Sequence, residues 1–243
     1  MRYISPSLVK EYLFCPRSFS YRWMHHLSLI STNNSSVQER IDTFTSGFFS
    51  ALSLWDAKTR PRTRFELEYL LSSKFRNHLE KFARNEEPTF RELDEKVFTL
   101  LLWLILNLWE TEENFLPIMV NEFIQAPSLN LQGRPSAVFR YSNNSALILI
   151  QTFRSDFPHT QRLVTLQAAL YARILKPMEF IPQSFLYIDY YRMNLIFREL
   201  NSSDFNNLDI FLKNFQIAIR EENFDPPKNP PCKTCEFKWI CKD

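Results

Sequence analysis

All four cysteines of this 243-residue chain lie at its two ends: Cys15 near the start, and Cys232, Cys235 and Cys241 in the closing segment PPCKTCEFKWICKD. The tail is a C-x2-C-x5-C array, and its partner sits in SPSLVKEYLFCPRSFSYR. Together they form a complete four-thiolate ligand set with no cysteine to spare. A site made from them closes a loop over nearly the whole protein, so the first helix and the last residues are expected to meet. Two groups suit four thiolates, a [4Fe–4S] cluster and a tetrahedral zinc ion.

The rest of the composition narrows the setting. Arg2, Lys10 and Glu11 interrupt any apolar run at the start, so no secretory leader is expected. The longest apolar stretch, Val97 to Trp109, is too short for a membrane span and reads as a buried helix. A reducing, cytoplasmic setting follows, where clustered cysteines favour a metal or cluster over disulfides. A formal net charge of only +2 means that any contact with nucleic acid must come from local patches. The best such patch is the run from Lys58 to Arg64, which also reads as a solvated loop between helices. With 23 Phe and 5 Trp, some aromatic surface is expected to be left for a protein partner or for base stacking. Only two glycines occur, Gly47 and Gly133, each worth locating because glycine persists where backbone geometry or close approach demands it.

Periodicity predicts a mainly helical part over 1–116, a mixed α/β core over 117–224, and a Pro-rich linker with the cysteine tail over 225–243. Helices are expected over Ser5–Leu29, Val37–Ala57, Arg64–Phe82 and Thr89–Glu112, the last capped by Thr89 with Glu92 three residues on. Strands follow in IMVNEFIQA, PSAVFRYS and ALILIQTF, with a turn at Asn143-Asn144. Then come a helix in HTQRLVTLQAALYARIL, strands in SFLYIDYY and MNLIFREL, and a closing amphipathic helix. No Gly-rich phosphate loop is present, which excludes dinucleotide and P-loop chemistry.

This layout resembles the RecB-like branch of the PD-(D/E)XK nuclease superfamily, nearest to the compact iron–sulfur exonucleases of CRISPR spacer acquisition. The resemblance rests on the S-x-S start leading to CPRSFSY, on LQGRPSAVF and LILIQTFRSD, on Gln167 and Tyr171 as Q-x3-Y, and on the cysteine tail. It implies a restriction-endonuclease-like α/β core with a helical N-terminal elaboration and an iron–sulfur clasp. The implied ligands are Cys15, Cys232, Cys235 and Cys241, with zinc as the alternative occupant. It also implies strand-positioning roles for Gln167 and Tyr171, which packing within a helix would equally explain.

At the family's catalytic positions this sequence departs from the pattern. The helix histidine falls on Ser50, three residues after Gly47, and the strand aspartate on Ser136, three after Gly133. The acid and lysine of the next strand fall on Thr152 and Arg154. There is no Asp or Glu from Phe123 through Ser155 and no Lys from Val97 through Leu175. Neutral hydroxyls seldom hold Mg²⁺ without a carboxylate, so no Mg²⁺ is expected. Arg154 stays protonated but can grip a phosphate, or pair with Glu122 across the sheet. The expected function is a catalytically degenerate nuclease fold serving as a nucleic-acid-binding or scaffolding subunit, with DNA or RNA as ligand. Two alternatives stand beside it. One is a divergent nuclease using relocated acids such as Glu122, Asp156 or Asp189; the other is an assembly factor whose only partner is protein.

Overall fold

The computed structural model describes residues 3–24, 44–50, 61–82, 88–111, 117–141, 145–152, 160–178, 181–190, 192, 194–226, 232, 235, 237 and 241. The chain opens with α1 (Pro6–Phe14), capped by Ser5, whose hydroxyl accepts from the Leu8 N–H at 3.3 Å. One long helix was expected from Ser5 to Leu29, but the helix stops at Cys15, which is extended at φ −162° and ψ 116°. The cause is local: Pro16 follows, and a residue before proline is pushed out of the helical region. A short α2 (Pro16–Phe19) and a π turn (Ser20–Met24) then resume the coil.

Residues 44–50 (α3) are helical, as are α4 (Arg64–Phe82) and α5 (Pro88–Thr111). The last begins at Pro88 rather than at a Thr89 cap; proline suits a first helical turn, where its missing N–H has no partner to lose. Among the described residues no helix is long and apolar enough to cross a membrane.

Among the described residues seven strands follow: β1 (Pro117–Val120), β2 (Ile124–Ala126), β3 (Leu131–Gly133), β4 (Ala137–Tyr141), β5 (Ser145–Thr152), β6 (Ile181–Asp189) and β7 (Asn194–Glu199). The run IMVNEFIQA was expected as one strand and forms two. It breaks at Asn121, held at φ 50°, a left-handed conformation that asparagine tolerates. The strand β3, which periodicity had not suggested, pairs antiparallel with β2, and Ile4 adds to it by a parallel bridge to Leu131. The other five strands form one sheet in the order β1-β4-β5-β6-β7. Its pairs are antiparallel except β5–β6, which are parallel and joined through α6 (Thr160–Leu175). The Asn143-Asn144 turn lies outside the described residues.

The sheet is covered on both faces, which is why β5 reads as a nearly continuous apolar run. Ala146, Ile148 and Ile150 face a core shared with α1, α6 and α7 (Ser202–Glu221). Leu147 and Leu149 face a second core with Phe49 of α3, Leu67 and Leu71 of α4, and Leu101 and Ile105 of α5. This is a mixed α/β fold.

A polar knot closes the far edge. Asn201 caps α7 by accepting from the N–H groups of Ser203 at 3.0 Å and Asp204 at 3.2 Å, while Asp204 accepts from the Asn201 N–H at 3.0 Å. Arg198 on β7 donates to Asp204 at 2.7 Å and to the Thr165 hydroxyl of α6 at 3.0 Å. Asn201→Ala is expected to cost about 1 kcal/mol, the usual loss for an N-cap. Urea denaturation checks it; an unchanged midpoint would show that Asp204 holds the turn alone.

Candidate functional site

The two ends of the chain do meet. Phe237, in the middle of the cysteine tail, is fully buried. Its ring lies 5.7 Å from that of Tyr21, and the Arg22 guanidinium sits 5.8 Å from its centroid. Arg22 is held in turn by Glu11 of α1 at 3.2 Å. Within the tail, Cys235 N–H donates to the Cys232 carbonyl at 3.4 Å and Cys241 N–H to that of Phe237 at 3.0 Å, which folds the segment into tight turns.

Cys15 is buried, packed with Phe14 and Leu163 of α6. Burial pushes its thiol above the usual range; the backbone N–H groups of Ser18 and Arg17 oppose that shift, and the neighbouring Cys235 and Cys241 add to it. Arg17 completes the junction by donating from Nη1 to Cys241 Sγ at 3.6 Å. None of the four cysteines forms a disulfide. Among the described residues, no three His, Cys, Asp or Glu side chains converge closely enough to form a metal-holding group.

A second cluster joins the other motif residues. Gln167 Nε2 donates to the Pro6 carbonyl at 3.4 Å, fixing α6 to the start of α1. One turn on, the Tyr171 hydroxyl donates to the Arg134 carbonyl at 3.0 Å, and burial pushes its phenol far up. Between them lies Gly133. A Cβ there would stand 2.8 Å from Tyr171 Cε1, 3.2 Å from Ile174 Cδ1 and 3.3 Å from Pro6 Cδ. The glycine is thus required by close approach and not by its backbone angle, since no glycine has positive φ. Gly47 differs: it is exposed, and among the described residues nothing lies within 4 Å of the place its Cβ would take.

The positions on which the sequence resemblance placed the family's catalytic residues are spread along this frame. Ser50 is exposed on α3, one turn after Gly47. Ser136 is half-buried in the link before β4, and its carbonyl accepts from the Asn121 N–H at 3.1 Å. Thr152 ends β5, in register with Asp189 on β6. Arg154 and Asp156 lie outside the described residues.

Of the other acids named from sequence, Glu122 is exposed in the β1–β2 turn. Asp189 is almost fully buried; its Oδ1 accepts from the Arg192 N–H at 3.0 Å and its Oδ2 from the guanidinium at 3.1 Å. Two strands, β4 and β5, separate β1 from Asp189's strand, so these acids come from distant parts of the sheet. Sequence reading missed Tyr187, two residues before Asp189 on β6, whose buried hydroxyl has no hydrogen-bond partner among the described residues. Burial pushes its phenol far up, and the Asp189 charge adds to that shift.

The basic run ends in a helix start. Arg62 N–H donates to Glu66 Oε2 at 2.7 Å and Glu66 N–H to the Thr63 hydroxyl at 3.2 Å, leaving the Arg62 and Arg64 side chains exposed. Residues 58–60 of the run lie outside the described residues. Aromatic surface is present on several elements: Phe65 and Tyr69 on α4 are 76% and 67% exposed, with Trp103, Phe123 and Phe197 also outward.

Comparison with known proteins agrees with the architecture. No curated protein matches the chain at a significant level. The crystal structure of a protein from Eubacterium rectale, provisionally called an exonuclease, superposes over 100% of this chain and 89% of its own with a TM-score of 0.53 at 9% identity. That likeness is one of fold. A second solved structure, SSO0001, covers 72% of this chain and 95% of its own at 17% identity, with a TM-score of 0.34. Residues 3–242 match the PD-(D/E)XK nuclease superfamily as one continuous unit. From the cysteine-bearing start to the cysteine-bearing tail, the chain belongs to the PD-(D/E)XK nuclease superfamily.

Proposed function

We propose that this protein is a catalytically silent nuclease fold that binds a nucleic-acid strand as a subunit of a larger assembly, with a [4Fe–4S] cluster joining its ends. One observation carries the reading: the frame and the cysteine ends are kept while the metal-binding positions hold Ser136 and Thr152. Phosphodiester hydrolysis by this fold needs carboxylates to hold Mg²⁺ and acidify its water, and two hydroxyls do not supply that charge.

The donor set supports the cluster. Four cysteines outside any disulfide, three in the tail and one at the end of the first helix, match cluster ligation in kind, and loading the cluster would have to draw them together, since no three converge in this structure. Cys15, Cys232, Cys235 and Cys241 would hold it, and zinc is the competing occupant of the same four sulfurs. When bound, the cluster supplies a cross-link between the two ends of the chain.

Arg154, Gln167 and Tyr171 are the proposed strand contacts. Arg154 would grip a phosphate through its planar fork. Gln167 retains a carbonyl oxygen and a second N–H beyond its bond to Pro6. Tyr171 acts through the Arg134 segment that it fixes.

The test uses anaerobically purified protein. Iron, sulfide and zinc are counted first, with about four irons per chain expected of the cluster. Cleavage of single- and double-stranded substrates with Mg²⁺ or Mn²⁺ should stay at background. Binding should weaken steeply with salt, because each neutralised phosphate releases counterions. Near-zero affinity at low salt would favour the protein-partner reading, which the outward aromatics would then serve. Robust cleavage lost in Asp189→Asn or Glu122→Ala would replace the proposal with the relocated-acid enzyme. The register of Asp189 with Thr152 is the observation in that enzyme's favour.

A further inference from the structure

We propose that Arg134 binds a phosphate of the nucleic-acid strand at the sheet end that carries Ser136 and Thr152, and so supplies positive charge where those residues cannot hold a metal; the inference rests on the strand-binding reading above. Between Phe123 and Ser155 the charged residues are Arg134, Arg140 and Arg154, with no acid among them. Arg134 lies two residues before Ser136, in the link from β3 to β4. Ala137 opposite Leu149 sets the start of β4 beside the end of β5 that carries Thr152. A guanidinium there stays charged at any working pH and offers two parallel N–H groups to a phosphate.

The backbone on both sides of Arg134 is tied to residues far from it in sequence. The Gln132 N–H donates to the Ile4 carbonyl at 3.0 Å, and Gly133 pairs with Ile124. The Arg134 carbonyl accepts from the Tyr171 hydroxyl at 3.0 Å, and the Ser136 carbonyl from the Asn121 N–H at 3.1 Å. Gly133 and Pro135 are buried, yet Arg134 between them is exposed. Among the described residues its guanidinium forms no ion pair or hydrogen bond. A held backbone that presents an unspent cation lowers the ordering cost of gripping a phosphate. The acid of the adjoining turn is Glu122, next to Asn121, and its charge opposes the phosphate. Arg140 is the control: it is exposed in the same acid-free segment, but at the other end of β4, opposite Ala146.

The experiment is fluorescence anisotropy of a labelled single-stranded DNA oligonucleotide with the full chain, in EDTA and over a salt series. Wild type is compared with Arg134→Gln, Arg140→Gln, Tyr171→Phe and the Arg134→Gln, Tyr171→Phe double variant, with folding checked by circular dichroism. Arg134→Gln is expected to weaken binding about three- to tenfold and to lower the salt slope by about one. Arg140→Gln should leave both nearly unchanged. Tyr171→Phe should weaken binding in the wild-type background but not beside Arg134→Gln, because it acts through the arginine that it positions. If Tyr171→Phe fails to fold, the two arginine variants carry the test. An unmoved affinity in Arg134→Gln, or equal losses in the Arg134 and Arg140 variants, overturns the inference. So does binding that appears only when Mg²⁺ is added, or a Tyr171→Phe loss that persists beside Arg134→Gln. A wild type with no affinity at low salt sinks the strand-binding reading itself, and this inference with it.

Discussion

Replacing Phe215 by alanine is expected to cost about 3–5 kcal/mol, the range for truncating a large buried aromatic. Phe215 is 1% exposed on α7, and its ring meets Tyr12 of α1 at 4.9 Å and Phe19 of α2 at 5.4 Å. Both contacts are edge-to-face, a favourable arrangement for aromatic quadrupoles. These helices flank Cys15, so the cavity would loosen the segment that presents the thiol. Two readouts follow: a lower urea midpoint, and faster labelling of Cys15 by a thiol reagent in the metal-free protein. A loss below about 1 kcal/mol would mean that the aromatic cluster relaxes into the space, contrary to the rigid packing inferred here.

Gly133→Ala is expected to cost about 1–3 kcal/mol, as overpacking of a closed contact does. The added methyl would stand 2.8 Å from Tyr171 Cε1, and that ring is pinned by its hydroxyl bond to Arg134. The strain should shrink in a Tyr171→Leu background, where the colliding ring is gone; a double-mutant cycle measures the coupling. Gly47→Ala should do the opposite, stabilising by about 0.5–1 kcal/mol, because Gly47 lies exposed in a helix with no described residue within 4 Å of an added Cβ. Equal effects at the two sites would contradict the assignment of Gly133 to close packing.

The contrast between those glycines illustrates what was legible beforehand. Both stand out in a sequence with only two glycines, yet sequence could not separate them, because the demand on Gly133 comes from Tyr171, Ile174 and Pro6. Gln167 and Tyr171 were legible as a motif, but their partners, the carbonyls of Pro6 and Arg134, were not. The helix over Arg64–Phe82 was read with its observed bounds, since its apolar spacing and polar start are local signals. The long first helix was misread because the weight of helical periodicity concealed the Cys15-Pro16 step. β3 escaped notice because three residues carry too little periodicity to reveal a strand. Its existence depends on β2 and on Ile4 pairing with it.

Local chemistry therefore determined the element types, the cap at Ser5, the break at Cys15 and the mixed α/β order, because those follow from a residue and its near neighbours. The same is true of the missing carboxylates between Phe123 and Ser155, which no folding could supply from within that segment. Only the tertiary structure decided that Asp189 stands beside Thr152, that Phe237 buries the tail against Tyr21, and that Arg17 reaches Cys241. Each of those contacts joins residues far apart in the chain. Their positions depend on sheet register and on burial of apolar surface, which no local window of sequence encodes.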